Sequence, residues 1–366
     1  MNENSVKINL GEFMSDRKLS IDDLIDSIIY IPLETSTKES LIGGIDKLIY
    51  TDNYVFVFDN FIGNNVLIFS TDGKFIKSIP TGAGPQEISR PQDIAIDEEQ
   101  QHLIVYNKRG LSFYDYRGNF VKRELLPFFF DNFSVIPNGY LFVSDAGNYN
   151  VHLGDFSDKQ VLITDKNFRV ISAGLPFHYS KNLNFVTKNY TSSLGKKVNF
   201  AFKFSNKVYQ YVDTFSVQEK YQLDFSGKGF PTRYLDMNWE KVQAELKDNN
   251  YYFFMGDYLE NDIHECFQIR NLNKKPYRLL IYRDKMSGKL KGGDFITEVN
   301  IISAPLTTYK NEFIGALNGY SAFNTLSELK KDEKHKDAYD RYYELFGNID
   351  EDANPILIKY TLKSFN

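Results

Sequence analysis

Three stretches decide the fold: Val55-Phe56-Val57-Phe58-Asp59-Asn60, Leu103-Ile104-Val105-Tyr106-Asn107-Lys108 and Leu141-Phe142-Val143-Ser144-Asp145-Ala146. Each is an apolar or aromatic run with Asp or Asn at its fifth position, and the three are spaced by 48 and 38 residues. A second element follows each in the same order. It reads Ile68-Phe69-Ser70-Thr71-Asp72-Gly73-Lys74-Phe75-Ile76, then Phe113-Tyr114-Asp115-Tyr116-Arg117-Gly118-Asn119-Phe120-Val121, then the shorter Ile163-Thr164-Asp165-Lys166-Asn167-Phe168-Arg169-Val170. Apolar runs of this length are strands. Asp-Gly, Arg-Gly-Asn or Lys-Asn between them sits where a tight hairpin needs positive φ, so the flanking strands are antiparallel neighbours. An inner strand such as Asp93-Ile94-Ala95-Ile96-Asp97 precedes each pair. Four-stranded units of about 40 to 50 residues are the mark of propeller blades.

Residues 1–26 form a polar N-terminal lead-in with no basic stretch followed by an apolar one, so no intact secretory signal stands there. Either the protein is cytoplasmic or a signal lies outside this numbering. Residues 16–26 read as a short helix or a loop. The run 27–34 reads as an edge strand, because Pro32 cannot donate to a central ladder. Two inserts have helical character. In 233–248, Leu235, Trp239, Val242 and Leu246 share one helix face; in 322–346, Leu326, Leu329, Tyr339, Tyr342, Tyr343 and Phe346 punctuate a charged stretch. Both read as helices packed on the rim, or as partner-binding helices. The remaining 290 or so residues make six blades at roughly 45 residues each. Lys207–Val212 and Tyr221–Phe225 belong to a fourth blade, Cys266–Ile269 and Tyr277–Tyr282 to a fifth. Residues 27–366 are therefore expected to be one all-β, six-bladed propeller of four-stranded antiparallel blades, closed by strand 27–34 pairing with strand 355–363.

Composition agrees with this architecture. Phe 31, Tyr 25 and Trp 1 make 16% of the 366 residues aromatic, which suits strands that fill the pleat with rings. With 43 Lys+Arg against 48 Asp+Glu and a net charge of -5, no basic face for nucleic acid is implied. The single cysteine, Cys266, has no internal disulfide partner, and no apolar stretch is long enough to span a membrane.

Several motifs, in order along the chain, resemble a known family. Ile31-Pro32-Leu33-Glu34-Thr35, Leu41-Ile42-Gly43, Val57-Phe58-Asp59, Phe69-Ser70-Thr71-Asp72-Gly73-Lys74-Phe75, Gly82-Ala83-Gly84-Pro85-Gln86-Glu87 and Asp352-Ala353-Asn354-Pro355-Ile356-Leu357 resemble the six-bladed β-propellers common in gut Bacteroidetes. The resemblance spans roughly residues 28 to 363, most clearly in the first two blades and the last strand. Glu87-Ile88-Ser89 departs from it, since an aromatic often follows the Glu. Members are similar to NHL-repeat propellers and are usually exported, often as lipoproteins. The resemblance thus implies a periplasmic or cell-surface protein whose signal peptide is absent from this numbering. It implies no activity, and fold alone supplies none.

The candidate ligand-binding residues are Gly82, Gly84, Pro85, Glu87 and Arg90, in the loop that leads to an inner strand. Either Glu87 and Arg90 face a ligand that the glycines let approach, or the glycines and prolines only shape a crossover while Glu87 and Arg90 pair locally. No phosphate loop follows from them, since no Lys-Ser/Thr succeeds the glycines. The five histidines, His102, His152, His178, His264 and His335, lack metal-ligand spacing. Asp59, Asp93, Asp97, Asp131, Asp145, Asp257 and Glu298 lie near strand ends, where they either gather Ca²⁺ at the central channel or cap turns. His264 and Cys266 share a strand face, as a nucleophile pair or as core residues. Phe128-Phe129-Phe130, Tyr251-Tyr252-Phe253-Phe254 and Tyr342-Tyr343 are glycan-stacking rings or blade filling.

No catalytic residue is assigned. The expected function is a non-catalytic module of the bacterial envelope that binds a glycan, peptide or envelope protein through one face of the disc, without a required cofactor. The alternative is a lactonase-like hydrolase or lyase with a divalent metal at the channel.

Overall fold

The computed structural model describes residues 5–14, 18–107, 110–144, 150–177, 191–212, 215–234, 237–273, 277–296, 301–331, 336–347 and 349–365. It is a six-bladed β-propeller of four-stranded antiparallel blades. The chain starts with three strands, β1 (Val6–Asn9), β2 (Lys18–Ser20) and β3 (Ile25–Pro32). Blade 1 follows as β4 (Lys47–Tyr50), β5 (Tyr54–Asp59), β6 (Asn65–Ser70) and β7 (Phe75–Ser78). Blade 2 is β8 (Pro91–Asp97), β9 (His102–Asn107), β10 (Gly110–Asp115) and β11 (Phe120–Leu125). Blade 3 is β12 (Asn132–Ile136), β13 (Gly139–Val143), β14 (Lys159–Asp165) and β15 (Val170–Pro176). Blade 4 is β16 (Thr191–Leu194), β17 (Lys197–Phe200), β18 (Lys207–Val212) and β19 (Ser216–Asp224). Helix α1 (Trp239–Asp248) precedes blade 5, which is β20 (Phe253–Glu260), β21 (His264–Arg270), β22 (Arg278–Asp284) and β23 (Leu290–Ile296). Blade 6 begins with β24 (Pro305–Tyr309) and β25 (Glu312–Leu317), passes through α2 (Gly319–Leu329) and α3 (Lys336–Phe346), and returns as β26 (Ile356–Leu362).

Strand β3 is the outer strand of blade 6, antiparallel to β26 with Ile31 opposite Leu357. The first and last parts of the chain thus share one sheet. Four side-chain-to-backbone bonds and one backbone pair knit the seam between that sheet and blade 1. Glu34 Oε2 accepts the Phe75 N–H at 2.8 Å, and the Glu34 N–H donates to Gly73 O at 2.9 Å. Asn354 Oδ1 accepts from Ile42 N at 2.8 Å, while its Nδ2 donates to Ser40 O at 2.7 Å and Glu34 O at 2.8 Å. Gly73 has a φ of 89°, and a Cβ there would stand 2.2 Å from Pro32 O. Only glycine fits that contact.

The hairpins between third and fourth strands repeat one device. In blades 2 and 3, Asp115 and Asp165 each accept two backbone N–H groups of the turn they open, and the strand pair carries a bulge just inside it. The left-handed residue is Gly118 in blade 2 but Phe168 in blade 3, where the sequence puts Lys-Asn at the turn. The Asp165 clamp holds a conformation that a side chain disfavours by roughly 1–2 kcal/mol.

The lead-in departs from the expected helix or loop. β1 adds in parallel to the outer strand β19 of blade 4, and β2 adds in parallel to β23 of blade 5. Between them Gly11–Phe13 forms a single 3-10 turn. The physical reason is edge coverage, since an outer strand leaves a row of backbone groups unpaired. The belt also inserts Ile8, Leu10, Phe13 and Met14 into the core between blades 4 and 5.

The strand directions give the disc two unlike faces. One, the turn face, carries the short connections from first to second and from third to fourth strands. The other, the crossover face, carries the blade-to-blade connections and both helical inserts. On α1, Val242 and Leu246 pack with Phe204, Phe230 and Phe253. Leu235 and the Trp239 side chain lie outside the described residues. On the second insert Leu326, Tyr342 and Phe346 are buried against Ile356 and Tyr30, so this stripe packs on the propeller. Tyr320 and Tyr343 remain exposed.

Candidate functional site

The Gly82 loop joins β7 to β8 and lies on the crossover face. Its carboxylate is engaged within the loop: the Gly84 N–H donates to Glu87 Oε2 at 2.8 Å, and the Glu87 N–H donates to Gly84 O at 3.1 Å. A Cβ on Gly82 would stand 2.0 Å from Glu87 Oε2, so the glycine makes room for that carboxylate. Tyr114 OH donates to Gln86 O at 2.9 Å and ties the loop to blade 2. The structure therefore brings Gly82, Gly84 and Glu87 together. Pro85 and Arg90 stand exposed, and no ion pair joins Glu87 to Arg90 among the described residues.

The strand-end acids have separate partners. Asp59 is fully buried and accepts four backbone N–H groups, from Gly43, Gly44, Ile62 and Gly63. Asp97 accepts Gln100 N in an exposed turn, and Asp257 pairs with Arg270 at 2.7 Å. The Asp131 N–H pairs with Val143 O. Asp145, Glu298, His178 and His335 lie outside the described residues. Among the described residues no three His, Cys, Asp or Glu side chains gather into a metal-holding group. His102 is half-buried and His152 exposed. Cys266 is wholly buried, and burial pushes its thiol far up, away from a nucleophilic thiolate. His264 is buried too; burial lowers its pKa, against a pull upward from Asp284, whose Oδ2 is 3.7 Å away. Of the aromatic runs, Phe128, Phe130, Tyr252, Phe253, Phe254 and Tyr342 are core residues.

The densest buried charge lies between blades 4 and 5. Glu265 accepts from Arg283 at 2.8 Å, Tyr258 at 2.6 Å and Tyr221 at 2.8 Å, and pairs with Lys220 at 3.1 Å. Glu260 binds Lys220, Lys285 at 2.8 Å and Asn199 at 2.9 Å. Burial opposes ionisation of Glu260, but Lys220 and then Lys285 outweigh it and hold the carboxyl below its usual range. Both carboxylates are fully engaged, so the cluster is a brace between blades.

A cavity of about 600 Å³ runs along the axis, within the size range of small-molecule pockets. Every inner strand contributes to it, from Lys47 on β4 to Tyr309 on β24. An inner strand pairs on one side only, so its other row of N–H and C=O groups faces the axis. The cavity reaches the turns at Glu98 and Glu99, at Gly195 and Lys196, and at Lys310, and so opens on the turn face. Its rim is of mixed charge. Asp97, Glu98 and Glu99 belong to blade 2 and Asp262 to blade 5, whereas Lys166, Lys196 and Lys310 come from blades 3, 4 and 6.

Lys47 is the one buried charge on the cavity wall among the described residues. Its side chain is 9% exposed, and its Nζ stands 2.8 Å from Asp93 Oδ1. Asp93 is 1% exposed, and its other oxygen accepts the Phe133 N–H at 2.9 Å. The pair thereby links the inner strands of three consecutive blades. Of the cavity residues, sequence reasoning reached only Asp97, together with Asp93 behind the wall. A lysine opening the otherwise apolar Lys47-Leu48-Ile49-Tyr50 was the available signal.

The chain belongs to the family described as "Domain of unknown function (DUF4934)", whose model matches residues 5–361. Among curated proteins none matches the sequence. Solved structures that share the fold include two from Bacteroides. One, described as a "putative exported protein" from Bacteroides fragilis NCTC 9343, is 16% identical, with a TM-score of 0.76 over 98% of this chain and 100% of that one. The other, a member of the DUF4221 family from Bacteroides vulgatus, is 12% identical, with a TM-score of 0.53 over 93% and 97% of the two chains. No helix among the described residues is long and apolar enough to cross a membrane.

Proposed function

We propose that this protein is a non-catalytic binding module of the bacterial envelope that takes its ligand into the axial cavity through the turn face. The observation that carries this reading is the cavity of about 600 Å³ to which all six inner strands contribute. A ligand there meets the axial edges of six inner strands, with charges of both signs at the rim. The Gly82 loop is on the opposite face, and its carboxylate already has a partner. The similarity to the Bacteroides fragilis protein described as a "putative exported protein" supports work outside the cytoplasm. Lipid anchoring and kinship with NHL-repeat propellers belong to the same reading.

The test is a thermal-shift screen of the purified protein against oligosaccharides, short peptides and divalent metals, since a ligand of the native state raises the melting temperature. A positive shift should vanish in Ser193→Trp, which fills the cavity rim, and persist in Arg90→Ala. The reverse pattern would move the site to the Gly82 loop. Turnover of any compound, abolished by Ser193→Trp, would replace the binding module with an enzyme.

A further inference from the structure

We propose that the axial cavity holds a short extended peptide, carboxylate inward on Lys47. This rests on the cavity being the binding site and adds the ligand class. Lys47 opens β4, and so stands at the crossover end of the axis, away from the mouth on the turn face. Its ammonium has three protons, and among the described residues Asp93 Oδ1 is its one side-chain acceptor. Asp93 cannot turn to take more of them, because its second oxygen is held by Phe133 N. The remaining protons suit an incoming carboxylate, in a setting where charge-assisted hydrogen bonds are strong.

The walls favour a polypeptide over other carboxylates. Free strand edges recognise an extended chain by alternating N–H and C=O groups, as in strand addition. From Lys47 to Tyr50 the inner strand spans four residues, roughly 13 Å, which is the length of a tetrapeptide. A peptide seated carboxylate-first presents its amino end at the mouth. There Asp97, Glu98 and Glu99 line the blade 2 side of the rim.

Isothermal titration calorimetry with tetra-L-alanine, its C-terminal amide and chitotetraose tests this. The free acid is expected to bind, and the amide at least about tenfold more weakly. Lys47→Met should bind acid and amide alike, at the level of the amide, whereas Lys47→Arg keeps the preference for the acid. Ser193→Trp should abolish binding. Equal affinity for acid and amide, or no binding of the acid up to about 10 mM, overturns the proposal. If chitotetraose binds and Ser193→Trp abolishes it while tetra-L-alanine stays silent, the peptide proposal fails and the cavity remains the site. If Ser193→Trp leaves a bound ligand untouched, the cavity reading fails as well. Should Lys47→Met not fold, judged by circular dichroism, the acid-to-amide comparison on the wild-type protein decides alone.

Discussion

At the seam between blades 6 and 1, the Glu34 and Asn354 side chains hold the ring shut by hydrogen bonds, and Gly73 by a close approach that leaves no room for a Cβ. Along the axis, the inner strands offer mainly backbone edges, which any residue supplies. The seam is therefore rich in sequence motifs and closed to ligands, while the cavity is poor in motifs and open. Most of the motifs that carry the family resemblance gather at the seam, the Gly82–Glu87 loop between blades 1 and 2 excepted. Asp59 of Val57-Phe58-Asp59 caps Gly43 and Gly44, Ile42 donates to Asn354, and Phe75 donates to Glu34. What recurs in such a chain marks where the backbone needs a specific partner, and that need is structural.

Substitutions can separate the two regions. Gly73→Val should be the most damaging, because it places a branched side chain at a φ of 89° and drives Cβ into Pro32 O. A loss of about 3 kcal/mol or more is expected in urea unfolding. Asn354→Leu leaves the Ile42 N–H and the carbonyls of Glu34 and Ser40 without their partner, and should lose about 2 kcal/mol. Any ligand of the cavity should bind the folded fraction of both variants with unchanged affinity. A loss of affinity in either would show that the seam shapes the cavity.

Smaller effects sharpen the contrast. Burial makes His264 ionise less readily in the folded chain than an ordinary histidine, whose pKa is 6.5. Below that pH the unfolded chain takes up a proton that the folded chain refuses. Stability should therefore fall as pH drops below 6.5, by at most about 1.4 kcal/mol per pH unit, until the folded-state pKa is reached. His264→Gln should flatten this slope in urea melts at successive pH values. An unchanged slope would assign it to other groups. Asp284 acts in a lower window: burial raises its pKa, but the amides of Ser287 and Phe365 outweigh that and lower it. Last, Glu87→Ala frees the Gly84 N–H and should lose about 1 kcal/mol or less, with ligand uptake intact. Ser193→Trp should do the opposite, leaving the urea midpoint alone and blocking uptake.

The blades were legible because alternation, turn residues and repeat spacing are local properties of the chain. Runs such as Val55–Asp59 and turns such as Asp72-Gly73 announce strand and hairpin within a few residues. The belt was not legible. Val6-Lys7-Ile8-Asn9 is too short to declare itself a strand, and its partner Tyr221–Asp224 lies more than two hundred residues away. The candidate loop drew notice through glycines that serve its own carboxylate. Lys47 drew none, because its meaning depends on Asp93 in the next blade and Phe133 in the one after.

Four-stranded blades, their approximate number and the pairing of a strand near residue 30 with one near residue 358 follow from local pattern and residue count. That β1 and β2 belt the outer edges of blades 4 and 5, that the Gly82 loop and the cavity mouth lie on opposite faces, and that Lys47 is buried on the axis emerge in the folded ring alone. Those outcomes depend on which distant segments become neighbours when the ring closes. Edge pairing, burial and enclosure are properties of such neighbours, and no stretch of sequence carries them alone.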